Sequence, residues 1–492
     1  MKDVLARGPT RRHLLCSLKL PVFFNDNRPK TNIPIPGDAD VSASVVLPTE
    51  IWRRILAYTI RLSGSSACDL EDPFTAPYMN EEYPEVDPGI FEDRKSLSLV
   101  CSAWRAMVIE IAAEYIVIYS GKELTAILKQ FEASKNSGGK GLGDWTRRID
   151  LKILGPYSVQ HVVRLLRCTP NLVIYVNKNG LITSPEKRAP PEILHALVKH
   201  CGQSLRRVEW SGPGEAPNYA DLLDISQGVS NLETLRLLCI YSYPTRKDGR
   251  LPLLIFPKLK TLSLGLIPEP SNAQVDNPTQ HHHYPITWDP LFAYLTLNPI
   301  QLPSLERLET DIFPIATISF FVMHGEKLRL FRTTTWSAES VLPDALALCP
   351  KLQSLVLSHS SDPLAFPPFH PSITRICILP SVEEHVRVPQ RVFTFAVLAP
   401  LDALLMSVEN MVAPGLVELR IRNVGAFVDL VDHSGWLRAW WRRWNLRGVH
   451  FRDKTGKSFE NISDGMFYPY LCDHRSLTLL IEDELLLDLV RE

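Results

Sequence analysis

Two stretches of the chain decide its fold: residues 256–264 read FPKLKTLSL, and residues 349–357 read CPKLQSLVL. In both, an apolar residue or cysteine, a proline and a polar residue come before a leucine. Two residues, a leucine, one residue and a final leucine follow it. The closing leucine–x–leucine alternates with the period of two that is typical of a strand, which places both leucines on one face. The pattern therefore predicts a short strand that follows a proline turn.

Copies of this pattern, some of them degenerate, recur from about residue 145 onward. Their anchor residues are Leu172, Leu205, Leu232, Leu259, Leu305, Leu328, Leu352, Ile373 and Leu416. The steps between anchors are 33, 27, 27, 46, 23, 24, 21 and 43 residues. Most steps lie near the roughly 20–29 residues of a leucine-rich repeat. The two longest steps each indicate an insertion or an eroded copy.

Short helical patterns precede several of the copies, at residues 159–166, 193–198 and 342–348. Each unit is therefore predicted to be a helix, a proline turn and a strand. One such unit cannot bury its own apolar face, whereas stacked units share a continuous core under a ladder of parallel strands. A wound parallel sheet is the alternative, but it has longer apolar strands and glycine turns at the strand ends. We therefore predict an α/β solenoid.

Helical patterns precede the repeats. Residues 47–56 read LPTEIWRRIL, and residues 97–105 read LSLVCSAWR, in a helical pattern that begins at Lys95. Proline suits the first turn of a helix, and an acidic residue there lies near the positive end of the helix dipole. Apolar residues at positions 51, 55 and 56 form one face of the first helix. These segments are predicted to form a small helical module.

The two stretches together resemble the F-box motif, and with the leucine repeats the chain is similar to the F-box proteins that are abundant in fungi. The resemblance implies a three-helix module that docks on a Skp-type adaptor. By position, its docking residues are Leu47, Pro48, Glu50, Ile51, Ile55, Leu56, Leu97, Val100 and Trp104. The last three hold the module together or add to the contact. Residues 63–93 depart from the family pattern, because most F-boxes have a short turn there; they are acidic, and we expect a mobile loop.

F-box proteins are substrate receptors of cullin–RING (SCF-type) ubiquitin ligases, so the resemblance implies the adaptor, the cullin ligase core and an unidentified substrate protein as partners. Such a receptor is not an enzyme, because it acts by raising the local concentration of a substrate lysine. The alternative is a non-catalytic repeat scaffold without coupling to a ubiquitin ligase. From periodicity alone, the helices would equally be a cap on the solenoid.

Arginines near strand positions would favour an acidic ligand on the repeats, and the alternative is that they are simply solvated surface residues. They are Arg206, Arg207, Arg236, Arg307, Arg329 and Arg420. The formal net charge of -1 gives no sign of a nucleic-acid or membrane partner. The nine cysteines lack CxxC pairs, which indicates reduced thiols, and no stretch is apolar enough to span a membrane. We therefore expect a cytoplasmic or nuclear protein.

No catalytic, metal-binding or cofactor-binding residues are predicted. The tripeptide Gly456-Lys457-Ser458 lacks the upstream glycine of a phosphate loop, and His281–His283 has no framing metal ligands. Three tryptophans, Trp436, Trp440 and Trp444, recur every four residues among arginines. They form either a stacking surface for a ligand or, as we favour, the core of an end cap.

The predicted order of domains follows from these patterns. It is a disordered arm at 1–44, an F-box-like helical module at 45–118 with an inserted loop at 63–93, a helix and flexible linker at 119–144, the leucine-rich-repeat-like solenoid at 145–435, and a C-terminal cap at 436–492.

Overall fold

The computed structural model describes residues 47–62, 64–70, 72–74, 88–136, 141–179, 187–212, 214–241, 252–265, 288–310, 316–334, 341–359, 364–380, 401–421, 434–453 and 456–458. The chain divides into two compact units. The first unit comprises Met1–Ala67, Pro84–Leu205 and Gly212–Glu215, and the second comprises Cys68–Tyr83, Arg206–Ser211 and Ala216–Glu492.

The first unit begins with helices that pack on one another and continues with alternating strands and helices. Its helices are α1 (Thr49–Ile60), α2 (Pro88–Ser98), α3 (Ser102–Glu114), α4 (Gly121–Asn136), α5 (Val159–Cys168) and α6 (Pro191–Cys201). Its strands are β1 (Tyr115–Ile118), β2 (Arg148–Leu151), β3 (Ile174–Asn177) and the short β4 (Lys187–Arg188). Strand β4 pairs with β6 (Glu215–Ala216).

The second unit repeats the same alternation. Its strands are β5 (Arg207–Trp210), β7 (Thr234–Leu237), β8 (Thr261–Leu264), β9 (Arg307–Thr310), β10 (Leu330–Thr334), β11 (Ser354–His359), β12 (Arg375–Pro380), β13 (Glu418–Ile421) and β14 (His450–Arg452). Its helices are α7 (Tyr219–Gly228), α8 (Asp289–Leu295), α9 (Ala316–His324), α10 (Leu342–Ala347), α11 (401–410) and α12 (Ser434–Leu446).

Among the described residues, the strands of the first unit lie in the order β1-β2-β3, and those of the second unit lie in the order β5-β7-β8-β9-β10-β11-β12-β13-β14. Neighbouring strands whose register is resolved pair in parallel; Leu235, for example, lies opposite Leu262, which lies opposite Leu308. Parallel neighbours need a crossover connection, and described helices lie in most of these connections. The predicted α/β class is therefore confirmed, and the sequential order of the strands is compatible with stacked repeats.

Each anchor residue of the sequence pattern lies two positions before a strand. The strands concerned begin at Ile174, Arg207, Thr234, Thr261, Arg307, Leu330, Ser354, Arg375 and Glu418. All the anchors are buried. Burial of a large apolar side chain stabilises the folded state by about 1.5–3 kcal/mol. Because every copy buries its anchor, each unit packs on its neighbour in the same way.

The strand ladder starts earlier and ends later than the repeat pattern indicates. Strand β1 lies within the predicted helical module and follows α3 directly, and β14 lies within the predicted cap. Neither has a proline turn in front of it, so the pattern that locates the nine anchored strands is missing. Only the alternation of Ile116 and Ile118, both buried, marks β1 in the sequence.

Two segments predicted as irregular are ordered. Helix α2 begins at Pro88, inside the predicted loop at 63–93 and before Lys95, because proline is tolerated in the first helical turn. In the predicted flexible linker, Leu142–Trp145 form a 3₁₀ helix in which Gly143 is buried. A Cβ atom on Gly143 would lie 1.9 Å from the carbonyl oxygen of Cys168, so this glycine permits close packing rather than flexibility.

Several predictions concern parts of the chain outside the described residues. These are the N-terminal arm at 1–44, the histidine run at 281–283 and the end of the predicted cap after residue 458.

Candidate functional site

Helix α1 carries an exposed apolar stripe. Ile51 is 39% exposed, Ile55 is 42% exposed and Tyr58 is 95% exposed. Spacings of four and three residues place these side chains on one side of the helix. Leu56 and Ile60 on the opposite side are buried. Helix α1 therefore has two apolar sides, one in the core and one exposed to solvent. We call Ile51, Ile55 and Tyr58 the α1 stripe.

The turn between α2 and α3 presents two further apolar side chains, Leu99 and Val100, to solvent. The turn is fixed from both sides. The Cys101 Sγ caps α3 by accepting a hydrogen bond from the Trp104 backbone N–H at 3.4 Å. The Arg105 Nε donates to the Ser98 carbonyl at 3.2 Å, near the C-terminal end of α2. The exposed Cys101 therefore caps α3.

A compact core holds the three helices together beneath these surfaces. It consists of Leu56, Ile60, Met107, Val108 and Ile111, with Trp52, Ala57, Leu97 and Trp104 packed around it. The rings of Trp52 and Trp104 lie 4.9 Å apart between centroids, at an angle of 52°. A tilted pair of aromatic rings at this distance adds about 0.5–1.5 kcal/mol to the free energy gained from burial.

A buried arginine closes the C-terminal end of α1. The Nε and Nη2 atoms of Arg94 donate to the Ile60 carbonyl at 3.1 and 2.9 Å. The last carbonyls of a helix lack partners within the helix, so a cation there satisfies them. Burial lowers the pKa of Arg94 to about 10. The sequence analysis missed this residue, because it lies where a loop was predicted to end.

Ion pairs connect α1 with α3. Arg53 pairs with Glu110, and Arg61 pairs with Glu114 at 2.7 Å. The guanidinium of Arg53 also lies 4.7 Å from the ring centroid of Trp145. Such partly exposed pairs contribute little individually, about 0–1 kcal/mol, but they fix the orientation of α1.

The structure separates the predicted docking residues into three groups. Pro48, Glu50, Ile51, Ile55 and Val100 are exposed. Leu47, Leu97 and Trp104 are half-buried, the last two against the core, and Leu56 is fully buried within it. Pro48 precedes the helix rather than starting it, and its carbonyl accepts from the Ile51 backbone N–H at 2.9 Å. Tyr58, which the motif did not include, is the most exposed member of the α1 stripe. Its position seven residues, or two helical turns, after Ile51 could have identified it as a residue on the same side of the helix.

A second surface lies on the polar face of the strands in the second unit. We call Arg207, Thr234, Thr261, Arg307 and Arg375 the strand-face row, because each is the first residue of its strand. The alternation of side chains places the row on the face opposite the core residues Leu235, Leu262 and Leu308. Residues 68–70 and 72–74, from the predicted mobile loop, contact this row.

Carboxylates two residues along each strand hold two arginines of the row in place. The Arg207 Nε lies 2.5 Å from the Glu209 Oε1, and the Arg307 Nε lies 2.8 Å from the Glu309 Oε1. Both carboxylates are buried. Buried charges are tolerated when they are paired and hydrogen-bonded, so these pairs orient the two guanidinium groups on the polar face.

The same arrangement occurs in the first unit at the start of β2. Arg148 pairs with Asp150 at 2.8 Å, and its Nη1 donates to the Gly64 carbonyl at 3.0 Å. The Tyr115 hydroxyl donates to Asp150 at 2.7 Å. Burial, with the nearby Asp150 carboxylate, raises the pKa of Tyr115 well above its ordinary value, so this tyrosine stays neutral and acts as a donor.

The tripeptide Gly456-Lys457-Ser458 forms a turn rather than a phosphate loop. The Gly456 and Lys457 backbone N–H groups donate to the carbonyl and side chain of Asp453 at 3.0 Å each. Within the described ranges, no group of three or more His, Cys, Asp or Glu side chains is placed to hold a metal ion. In that same part of the chain, no helix has the length and apolarity needed to cross a membrane.

Two of the three spaced tryptophans belong to the core of the second unit. Trp440 and Trp444 are buried and stacked, with ring centroids 6.3 Å apart at 22°. The Trp440 Nε1 donates to Asp402 on α11 at 2.7 Å. This confirms the core interpretation for these two residues and leaves them out of any ligand surface; the side chain of Trp436 lies outside the described set.

Comparison with known proteins adds no relative: the chain matches no protein-family model and no curated protein.

Proposed function

We propose that this protein is the substrate receptor of a cullin–RING ubiquitin ligase. In this proposal the N-terminal helices dock on a Skp-type adaptor, and the repeats bind the substrate protein. The observation that carries it is the α1 stripe, a row of exposed apolar side chains on a helix whose opposite side is already buried. The resemblance of residues 47–56 and 97–105 to the F-box motif supplies the identity of the partner.

The α1 stripe is suited to a stable protein contact. Ile51, Ile55 and Tyr58 are spaced as the anchors of a helix that packs into a groove or against a helix pair. Exposed apolar groups of this kind, when supported by a rigid core, are typical of interaction sites. Trp52 and Trp104 are packed against the core of the module, and a surface that is ordered before binding lowers the entropic cost of association.

The proposed mechanism is one of proximity. A substrate held on the repeats is kept near a charged conjugating enzyme, which raises the effective concentration of its lysine side chains. The receptor then needs no acid–base or metal chemistry of its own. This agrees with a chain whose distinctive features are two binding surfaces.

The test is co-purification of the full chain with a Skp-type adaptor. We expect the wild-type protein to bind and the Ile51→Asp/Ile55→Asp variant to lose at least about tenfold in affinity, because two carboxylates would be buried in an apolar contact. The matched control is Val322→Asp, since Val322 is also an exposed aliphatic residue on a helix (65% exposed) but lies in the second unit.

Two outcomes would contradict the proposal. One is a folded wild-type chain that does not associate with the adaptor. The other is a double variant that binds as tightly as the Val322→Asp control. Recovery of a partner protein without any ubiquitin machinery would instead identify the chain as a repeat scaffold.

A further inference from the structure

The polar face of the strands in the second unit is occupied by a segment of the same chain. Residues 68–74, of which Glu71 is not described, follow α1 in the sequence and lie across β5, β7, β8, β9 and β12. We call them the cis segment. The described part of this segment lies outside any helix or strand, with a bend at Asp69 and a turn at residues 73–74.

Three members of the strand-face row bind the backbone of the cis segment. The Thr234 hydroxyl donates to the Cys68 carbonyl at 2.7 Å. The Arg207 Nη1 donates to the Asp69 carbonyl at 2.7 Å, and the Arg307 Nη1 donates to the Leu70 carbonyl at 2.9 Å. Consecutive carbonyl groups are thus each matched by a donor from a different strand. Contacts with backbone carbonyls hold a peptide whatever its side chains.

Other contacts select acidic side chains. The Thr261 hydroxyl donates to the Asp69 carboxylate at 2.6 Å, and the Arg307 guanidinium lies 4.0 Å from the same carboxylate. The Arg375 Nη1 pairs with the Asp72 carboxylate at 3.2 Å. Hydrogen bonds between ions are about twice as strong as those between neutral groups, so the row favours a peptide with acidic residues three positions apart.

Phe74 provides an apolar anchor at the end of the cis segment. Its side chain is buried against Val356, Cys377 and Leu379. The Arg375 guanidinium lies 4.4 Å from its ring centroid, a distance at which a cation is attracted to the ring face. An aromatic side chain in a desolvated pocket is the kind of contact that carries most of the binding energy in protein interfaces.

We propose that the strand-face row is a binding site for an acidic peptide of another protein, with the pattern Asp-apolar-x-Asp-x-Phe, and that the cis segment occupies this site as an intramolecular competitor. A partner then binds by displacing residues 68–74. The two carboxylates that hold the segment remain partly exposed to water, so their pairs are weak enough to exchange. An acidic peptide is thus the class of substrate that the proposed receptor would bind. The site itself does not depend on the proposed function; only the identification of the partner as a substrate does.

The test measures binding of a fluorescent peptide with the sequence of residues 68–74, CDLEDPF, to the full-length chain. In the variant Asp69→Ala/Asp72→Ala/Phe74→Ala the competitor is weakened. We expect this variant to bind the peptide at least about tenfold more tightly than the wild type, because apparent affinity scales with the fraction of open sites. A peptide with alanine at the two aspartate positions and the phenylalanine position serves as the negative probe.

Substitutions in the row, made in the weakened variant, locate the site. Arg375→Ala and Thr261→Ala should each lower peptide affinity about tenfold, since each removes a contact with a carboxylate. Arg329→Ala is the matched control, because Arg329 is exposed just before β10 and makes none of these contacts. Equal affinity in the Arg375, Thr261 and Arg329 variants would overturn the proposal.

A purely structural role for the cis segment predicts a different result. In that case the triple variant is destabilised and does not bind the peptide any better than the wild type. If the triple variant fails to fold, Asp69→Ala/Asp72→Ala is used, because it removes both carboxylate contacts with the row and keeps Phe74 in its pocket. An unchanged peptide affinity in this folded variant also refutes the proposal. No adaptor is present in the assay, so its failure is independent of failure in the docking experiment.

Discussion

At the scale of single residues, buried polar side chains connect segments that the sequence keeps apart. Arg94 on α2 reaches the last turn of α1, and Arg105 on α3 reaches the end of α2. Each satisfies a carbonyl that the helix itself leaves without a donor. The three helices are thus joined by hydrogen bonds at their ends as well as by the tryptophan-rich core.

We expect Arg94→Met to lower the free energy of unfolding by about 2–3 kcal/mol, because the Ile60 carbonyl loses both bonds from a charged donor. The measurement is urea denaturation of the full chain. Arg54→Met is the control, since Arg54 is an exposed arginine on α1. Equal losses in the two variants would show that the bonds to Ile60 do not matter.

His324 predicts a pH dependence of stability. It is buried, with Nε2 3.0 Å from the Leu295 carbonyl and Nδ1 3.2 Å from the Lys327 ammonium. Burial lowers the pKa of His324 from 6.5 to about 4, with a smaller contribution from the Lys327 charge. Between these values the unfolded chain binds more protons than the folded one, so stability falls as the pH decreases from 6.5 to 4.

The loss attributable to His324 should reach about 3 kcal/mol at the acidic end of that window. The check is a comparison of wild type with His324→Gln, whose amide keeps a donor for Leu295 but does not titrate. Chemical denaturation across the window should give a shallower slope for the variant. Parallel slopes would mean that His324 is not the titrating group.

At the scale of elements, each strand has an apolar side that faces the helices and a polar side that holds the strand-face row. The apolar side consists of the leucines of the repeated sequence pattern, whereas the residues on the polar side follow no repeat. Turns between elements depend on close approach of backbones, as at Gly143, where the 3₁₀ helix touches the end of α5.

Gly143→Ala should destabilise the chain by about 2–3 kcal/mol, because the new methyl group would meet the Cys168 backbone and force it to move. Gly415→Ala is the control: its Cβ would lie 3.5 Å from the nearest atom, an ordinary contact. Thermal unfolding of both variants tests this. A Gly143 variant as stable as the Gly415 variant would refute the close packing of this turn.

At the scale of the whole molecule, the stability of a repeat array is a sum of contacts between neighbours. In the second unit the last strand, β14, is followed by no further described strand of the sheet, and α12 covers the adjoining core with Trp440 and Trp444. Within the described part of the chain, these two side chains therefore cover the core at the end of the ladder.

Trp444→Ala should remove about 3–5 kcal/mol of stability locally, as expected for truncation of a buried tryptophan. In hydrogen exchange we expect faster exchange in β13, α12 and β14, with β7 and β8 little changed, because distant repeats share no contacts. Leu446→Ala is the control, as Leu446 is exposed on the same helix. Equal acceleration in every strand would show that the second unit unfolds as one cooperative block.

The repeat pattern located nine strands, eight by a leucine anchor and one by Ile373, because each copy must bury its anchor. The spacing of Ile51 and Ile55 also identified the region of the α1 stripe. The spacing did not distinguish Leu56, which is a core residue, from the exposed Ile51 and Ile55, because core positions and docking positions both take apolar side chains. Sequence reasoning did not predict the strand-face row as a site for residues 68–74, although it singled out Arg207 and Arg307 for an acidic ligand.

The sequence by itself determined the period of the chain, and with it the α/β class and the parallel order of the strands, because apolar periodicity is read from neighbouring residues. Only the tertiary structure decided what the polar face holds. The contact between Asp69 and Thr261, or between Asp72 and Arg375, joins residues far apart in the chain. Such pairs depend on how stacked repeats align their strands, and no local pattern in the sequence encodes that alignment.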